Sequence, residues 1–317
     1  MVLAAGLGLR MRPLTLLRAK PALPVLNRPL IHWTLDLLRR HGVTDVVVNL
    51  HHLPGTVRRA VGDGRALGLR VSYSYEREIL GTGGGPRKVR RLFGDEPFLL
   101  VNGDVVFDFD LSDLVRRHVA SGARATLALK AHRDAEAYGG VVTGPGGFIR
   151  ALAGRPRPVP GRALLFTGVH VLDPALLERL PPGRSDSVRD LYAPMVAEGE
   201  RLLGVRVGGA WYDFGSLSLY LASQLSMLSS GFRGEGQARL IHPDARIHPR
   251  ARVTRSVVGA GASVGEGAVV SGSVLWDGVE VGRGARVSGS ILASGARVAG
   301  GETVERAVLM KKKKAKR

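Results

Sequence analysis

Between Leu3 and Leu30 the chain reads LAAGLGLRMRPLTLLRAKPALPVLNRPL. A short apolar run, Leu3-Ala4-Ala5, leads into Gly6 and Gly8, where backbone N–H groups can approach a ligand without Cβ obstruction. Arg10, Arg12 and Lys20 follow, while Pro13, Pro21, Pro24 and Pro29 keep the segment from becoming one long helix. Glycines that allow close approach, followed by fixed cations on an extended, proline-broken loop, suit a polyphosphate. The segment lacks Gly-Lys-Ser/Thr and a third glycine, so neither a Walker loop nor a dinucleotide fingerprint fits.

Elements that position this loop are legible nearby. VTDVVVNL (43–50), LRVSYSY (69–75), PFLLVNGD (97–104), ATLALK (125–130) and ALLFTGVHVL (163–172) read as strands. LIHWTLDLLRRHG (30–42) has helical spacing and closes on a glycine suited to a C-cap. Strand–helix alternation predicts a mostly parallel α/β sheet covered by helices. Asp104 then ends a strand, where such sheets place their sites. Asp108 and Asp110 read as turn or N-cap groups before LSDLVRRH. His51 and His52 have no metal-ligand partner at helical spacing and read as structural.

After residue 239 the pattern changes. Ile241, Val258, Leu275, Leu292 and Leu309 are each 17 residues apart, as are Ile247, Val264, Val281 and Val298, and Val253, Val270, Val287 and Val304. The step between sets is 6, 6, then 5, which makes a hexapeptide repeat with one residue dropped per coil. Each hexad turns one aliphatic side chain inward, and coils must stack to bury it, giving a prism of about four coils. The expected organisation is 1–225, a first domain; 226–239, a Gly/Ser-rich linker; 240–310, the prism; and 311–317, a basic tail.

The ordered motifs resemble the sugar-1-phosphate nucleotidyltransferases, or nucleotide-sugar pyrophosphorylases. The opening segment is similar to their signature, LGTGGG (80–85) to the nucleobase loop, VNGD (101–104) and AWYDFGS (210–216) to the two metal-aspartate motifs, and YGG (138–140) and FTGVHVLDP (166–174) to sugar-side elements. The resemblance implies a Rossmann-like catalytic domain followed by a left-handed parallel β-helix. It implies nucleotide binding by Leu3, Ala4, Ala5, Gly6, Gly8, Arg10, Gly81, Thr82, Gly83 and Gly103. It places the sugar phosphate on Lys20, Tyr138, Gly139, Arg155, Thr167 and Gly168. Mg2+ would sit on Asp104 and Asp213, since it takes carboxylate and phosphate oxygens. Arg10 would hold the β- and γ-phosphates, and Lys20 the attacking sugar phosphate. Both reactants, a nucleoside triphosphate and a sugar 1-phosphate, are anions, so charge compensation is the main catalytic task. That is consistent with the lack of a Ser-His-Asp set or a glycosidase-type carboxylate pair.

Gly154-Arg155-Pro156 stands where many members have Glu-Lys-Pro, and Phe166-Thr167-Gly168 where many have Asn-Ala-Gly. Both departures resemble the N-acetylmuramate-1-phosphate uridylyltransferase branch, whereas the long prism resembles mannose-1-phosphate guanylyltransferase relatives. Two other readings stay open: a non-catalytic regulatory relative acting through its prism, and a basic nucleic-acid-associated protein. The net charge of +19 invites the latter, but its arginines are scattered, its aromatics are 5%, and only KKKKAKR (311–317) is dense. Specific nucleic-acid binding is therefore not expected. An acyltransferase site in the prism would need a base. Its only histidines, His242 and His248, each precede a proline in the opening coil and read as structural. The prism is expected to mediate self-association, with exposed hydrophobic positions such as Trp276 contributing to the interface, or to sense a ligand or partner. Cysteine is absent, and neither a signal peptide nor a span-length apolar run is found, so a cytoplasmic home without membrane insertion is expected. Removal of Lys311–Arg317 should leave catalysis intact; a large loss of turnover in the truncated protein would refute the view of the tail as an appendage.

Overall fold

The computed structural model describes residues 1–157, 159–234 and 238–311. The chain divides into two compact units: Met1–Leu7 with Ile31–Trp211, and Gly8–Leu30 with the chain from Tyr212 onward. The cationic segment thus packs with the C-terminal part of the chain, a grouping that sequence order alone did not suggest.

The first unit is built on strands β1 (Val2–Leu3), β2 (Asp45–Leu50), β3 (Arg70–Tyr75), β4 (Phe98–Asn102), β5 (Ala125–Lys130), β6 (Leu165–Leu172) and β7 (Leu202–Arg206). They form one sheet in the order β7-β5-β6-β4-β1-β2-β3. Neighbours are parallel except at β6, which runs antiparallel to both β4 and β5. Residues 125–129 of β5 are buried without alternation, as expected of a strand covered on both faces. Helices α1 (Leu30–Arg40), α2 (Pro54–Val61), α3 (Gly81–Lys88) and α4 (Leu111–Ser121) connect these strands. Gly42, beyond α1 at φ 81°, donates its N–H back to the Arg39 carbonyl (3.0 Å). Asp110 caps α4 by accepting from the Asp113 N–H at 3.0 Å, and Gly122 closes it at φ 62°. The core joins Leu127, Leu129 and Leu172 of the sheet to Leu176, Leu191 and Met195 beyond it.

Two stretches depart here from expectation. The glycine run 81–85 is not a loop but the first turns of α3. A Cβ on Gly81 or Gly84 would strike the backbone carbonyl of Ser185 or Gly183, so the glycines serve close packing. The stretch 226–230 is not linker but the last turn of α6, after α5 (Ala193–Ala197) and spanning Leu217–Ser230. Met227 and Leu228 bury on the same helix as Tyr220 and Gln224, and Gly231 ends it at φ 69°. Glu235–Gln237 of the expected linker and Lys312–Arg317 of the expected tail lie outside the described residues.

In the second unit, residues 240–309 form three parallel sheets of five, four and four strands. Each strand pairs with the one 17 residues on, as in Val258↔Leu275, Val264↔Val281 and Val270↔Val287. This is a parallel β-helix whose interior is Val253, Val258, Val264, Val270, Leu275, Val281, Val287, Leu292, Val298 and Val304, with alanines between. Ser256, Ser273 and Ser290 form a buried ladder at one corner, each hydroxyl accepting the N–H of the residue 17 positions on. His242 and His248 accept, through Nδ1, the N–H groups of Asp244 and Arg250 (both 3.2 Å), as turn formers would. Trp276, expected on the surface, is only 1% exposed. Among the described residues no helix is long and apolar enough to cross a membrane. Leu275→Ala should destabilise the prism by about 2–5 kcal/mol through lost burial and a residual cavity. A lowered denaturant midpoint for loss of β-signal checks this.

Candidate active site

In the first unit, the residues expected to bind ligand collect at the carboxyl ends of β1 and β4. Leu3 pairs with Asn102, and the Gly103 N–H donates to the Leu3 carbonyl at 2.8 Å. A Cβ on Gly103 would strike that carbonyl, so only glycine lets the turn carry Asp104 past the end of β1. Asp104 is half-buried there. The Ala4 N–H donates to Asn49 Oδ1 (2.7 Å), Asn49 Nδ2 to Glu76 Oε1 (2.7 Å), and the Leu80 N–H to Glu76 Oε2 (2.9 Å). Glu76 is 5% exposed, so one buried carboxylate joins the strand leading to Gly6 with the start of α3. Gly81 and Gly83 pack against Ser185, and the Thr82 hydroxyl bonds Asp186 (3.1 Å) and accepts the Ser187 N–H (2.9 Å). Thr82 is therefore occupied in orienting the neighbouring segment. In that segment the Asp190 carboxyl is lowered to about 2, chiefly by the Arg189 guanidinium. Its contribution to stability is full above the ordinary carboxylate range and fades as pH falls toward about 2.

The expected sugar side lies along β6. A Cβ on Gly168, at φ 80°, would lie 2.7 Å from Asn102 Nδ2. The Thr167 hydroxyl donates to the Ala128 carbonyl at 2.9 Å and is buried, so it is committed to the sheet. Its carbonyl accepts the Trp211 indole N–H at 3.0 Å. Trp211 meets Tyr138 edge-on at 5.7 Å and His132 at 5.9 Å. Gly139, at φ 78°, accepts the Ala153 N–H at 3.2 Å, which brings the turn bearing exposed Arg155 into the same neighbourhood. His170, also on β6, is apart from this chemistry: burial pushes it down to about 3, and its Nδ1 meets the Tyr192 hydroxyl at 2.5 Å.

In the second unit, the proline-broken segment folds as three short turns, Leu9–Met11, Leu14–Leu16 and Lys20–Ala22, instead of running extended. Gly8 sits at φ 61°, and its carbonyl accepts from the Met11 N–H and the Thr15 hydroxyl, both at 2.9 Å. A Cβ there would lie 2.7 Å from Thr15 Cγ2 and 3.5 Å from Lys20 Cβ, so the glycine lets the chain fold back and brings Lys20 beside it. The Gly215 Cα faces both Asp213 and Arg10: a Cβ there would be 3.0 Å from Asp213 Oδ1 and 3.1 Å from Arg10 Nη2. Arg10 is exposed and Asp213 and Lys20 are half-buried, a set of charges able to meet a phosphate chain and a cation.

Residues 1–230 match the family described as Nucleotidyl transferase, and residues 236–316 the GMPPB C-terminal domain. The chain belongs to the sugar-1-phosphate nucleotidyltransferases. It is 32% identical to a UTP–glucose-1-phosphate uridylyltransferase of Synechocystis over 72% of its own length and 63% of the relative's. Against a mannose-1-phosphate guanylyltransferase of Mycobacterium tuberculosis it is 31% identical over 86% and 77%. With mannose-1-phosphate guanyltransferase beta-B of Xenopus laevis it shares 29% over 78% and 67%. The chain thus spans less than two thirds of the Synechocystis relative.

Within this nucleotidyltransferase fold, motif reading alone did not single out Asn49, Glu76 or Asn102. Their signal is weak: a glutamate closing the strand SYSYE and asparagines ending apolar strands are ordinary in isolation. Glu76→Ala would leave the Asn49 amide and the Leu80 N–H without their acceptor, which should cost about 1–3 kcal/mol of stability. Glu76→Gln, which keeps an acceptor, should cost less; urea denaturation of both variants checks the order.

Proposed function

We propose that the protein transfers a nucleoside monophosphate from a nucleoside triphosphate to a sugar 1-phosphate, releasing pyrophosphate. The observation that carries the reading is that Asp213 and Arg10 both face Gly215, Arg10 coming from a segment whose order of glycine, arginine and lysine resembles the family signature. A non-bridging oxygen of the sugar phosphate attacks the α-phosphorus in line. The new P–O bond forms as the bond from the α-phosphorus to the α,β-bridging oxygen breaks, and pyrophosphate leaves with the electron pair. No base is needed because the nucleophile is already ionised.

In this reading Arg10 neutralises the β- and γ-phosphates and stabilises the departing pyrophosphate. Lys20 screens the incoming sugar phosphate from the α-phosphate, lowering the repulsion between two anions. Leu3, Ala4 and Gly103, tied to one another and to Asn49, hold the turn that offers the backbone of Ala5 and Gly6 to the nucleotide, with the first turns of α3 beside them. Tyr138, Gly139, Arg155 and Gly168 receive the sugar phosphate; Thr167 serves through its backbone. The reading assigns Asp104 and Asp213 to a divalent cation, Mg2+ by the chemistry of the donors. Among the described residues no group of three or more His, Cys, Asp or Glu is arranged for a metal. Two carboxylates fit an ion that keeps its other positions for phosphate and water. When bound, that ion supplies charge neutralisation at the phosphates.

Relatives named for uridylyl and for guanylyl transfer set the range of bases to try. Purified protein with Mg2+ should release pyrophosphate from at least one pair in a grid of nucleoside triphosphates and sugar 1-phosphates. Chelation should abolish turnover, and Asp104→Asn or Asp213→Asn should lower kcat/KM by about 100-fold or more. No release from any pair by folded protein would refute the reading.

A further inference from the structure

Trp276 interrupts the repeat. The equivalent positions one coil before and after it are Gly259 and Ala293, yet this coil carries the largest side chain and buries it almost completely. Its indole N–H donates to the Tyr220 hydroxyl at 3.0 Å. Tyr220, on α6, is fully buried and donates that hydroxyl to the carbonyl of Pro24. Pro24 begins a tight hairpin in which Val25 pairs with Arg28 around Leu26 and Asn27, both at positive φ (47° and 60°). Leucine is a costly residue at such an angle. It is held there by burial and by donation of its N–H to Gln224 Oε1 at 3.0 Å. Asn27 Nδ2 reaches the prism itself, at the Val258 carbonyl (2.9 Å).

A second attachment lies nearer the cations. Arg18 Nη2 bonds Asp277 Oδ2 at 2.9 Å and Ser294 Oγ at 3.2 Å, and its guanidinium lies 5.4 Å from the centre of the Trp276 ring. Asp277 and Ser294 are 17 residues apart and so stack on successive coils. An exposed ion pair alone would hold little. Here one planar guanidinium is fixed by a carboxylate, a hydroxyl and an aromatic face together, two residues before Lys20. Tyr220 also meets Phe214 edge-on at 6.2 Å, and the Ser223 hydroxyl holds the Asp213 carbonyl at 2.8 Å, so α6 that rests on Trp276 also supports the Asp213 turn.

We infer that the prism positions the phosphate-binding segment: Trp276 and Asp277, through Tyr220 and Arg18, fix the backbone that presents Arg10 and Lys20. Trp276, Asp277, Tyr220 and Arg18 are positioning residues, since they act through others. The inference rests on the function proposed above for its catalytic consequence, and on hydrogen exchange for its physical one. Exchange is measured on the full chain for wild type, Arg18→Ala, Asp277→Ala, Asp277→Glu and Trp276→Phe, with kcat and KM on the productive substrate pair. The alanine variants and Trp276→Phe should exchange about fivefold or more faster across residues 8–29, with peptides of β2 and β5 unchanged. They should lose about tenfold in kcat/KM, as expected when cations are displaced by a fraction of an ångström to an ångström. The double variant Arg18→Ala/Asp277→Ala should fall no further than either single change, and Asp277→Glu should recover most of the loss. Unchanged exchange across 8–29 would overturn the inference, as would faster exchange with unchanged kcat/KM or additive losses. A wild type inert on every substrate pair would sink the proposed function instead; faster exchange in the variants would then still support the docking.

Discussion

Three parts of the second unit meet at the Tyr220 hydroxyl. It accepts the Trp276 indole N–H and donates to the Pro24 carbonyl, in a place sealed from water. A buried hydroxyl without partners would be costly, so its two bonds are a constraint as much as an attraction. The β-helix, α6 and the hairpin at Leu26–Asn27 must all keep station for both bonds to persist. Loss of one partner would leave a donor or acceptor stranded in the interior. The same ring packs against Phe214, next to the Asp213–Gly215 turn. A single side chain thus links an aliphatic prism to a segment that owes its shape to glycines and prolines.

That linkage bears on the electrostatics. A segment with Arg10, Arg12, Arg18 and Lys20 close in sequence repels itself and would not hold one shape on charge alone. Short turns, a left-handed Gly8 and attachment to the prism supply the shape, so in the proposed reaction the cations would be in place before an anion arrives. Preorganisation of this kind lets charge act on a reacting phosphate without reorganisation at the moment of reaction. In the proposed site the seven-stranded sheet would do the corresponding work at Asp104, which follows a glycine turn past the end of β1.

Much of this was legible in the residues themselves. The 17-residue spacing of thirteen aliphatic positions forecast which prism strands would pair, because period and burial are the same fact in a stacked coil. Apolar runs located the sheet strands closely; ATLALK is β5 from end to end. What sequence reading missed has a tertiary cause. Glycines 81–85 look like a flexible loop, yet they begin a helix, and Gly183 and Ser185, which leave no room for side chains, explain why they are glycines. Ser229 and Ser230 look like linker, yet Met227 and Leu228 anchor the turn that holds them. Trp276 looks like a surface patch, since nothing in the repeat says that a helix and a hairpin cover that coil. Asn49 and Glu76 gain their role from each other and from two backbone N–H groups that the fold brings near.

The central claim is that the opening cationic segment is a polyphosphate clamp with Arg10 at the pyrophosphate end. Calorimetric titration of inorganic pyrophosphate into wild type and Arg10→Ala, at fixed pH, Mg2+ and ionic strength, tests it most directly. Loss of one charge-assisted contact should weaken binding by about 10- to 150-fold, the equivalent of about 1.5–3 kcal/mol. Equal affinity in the two proteins, both folded, would contradict the account.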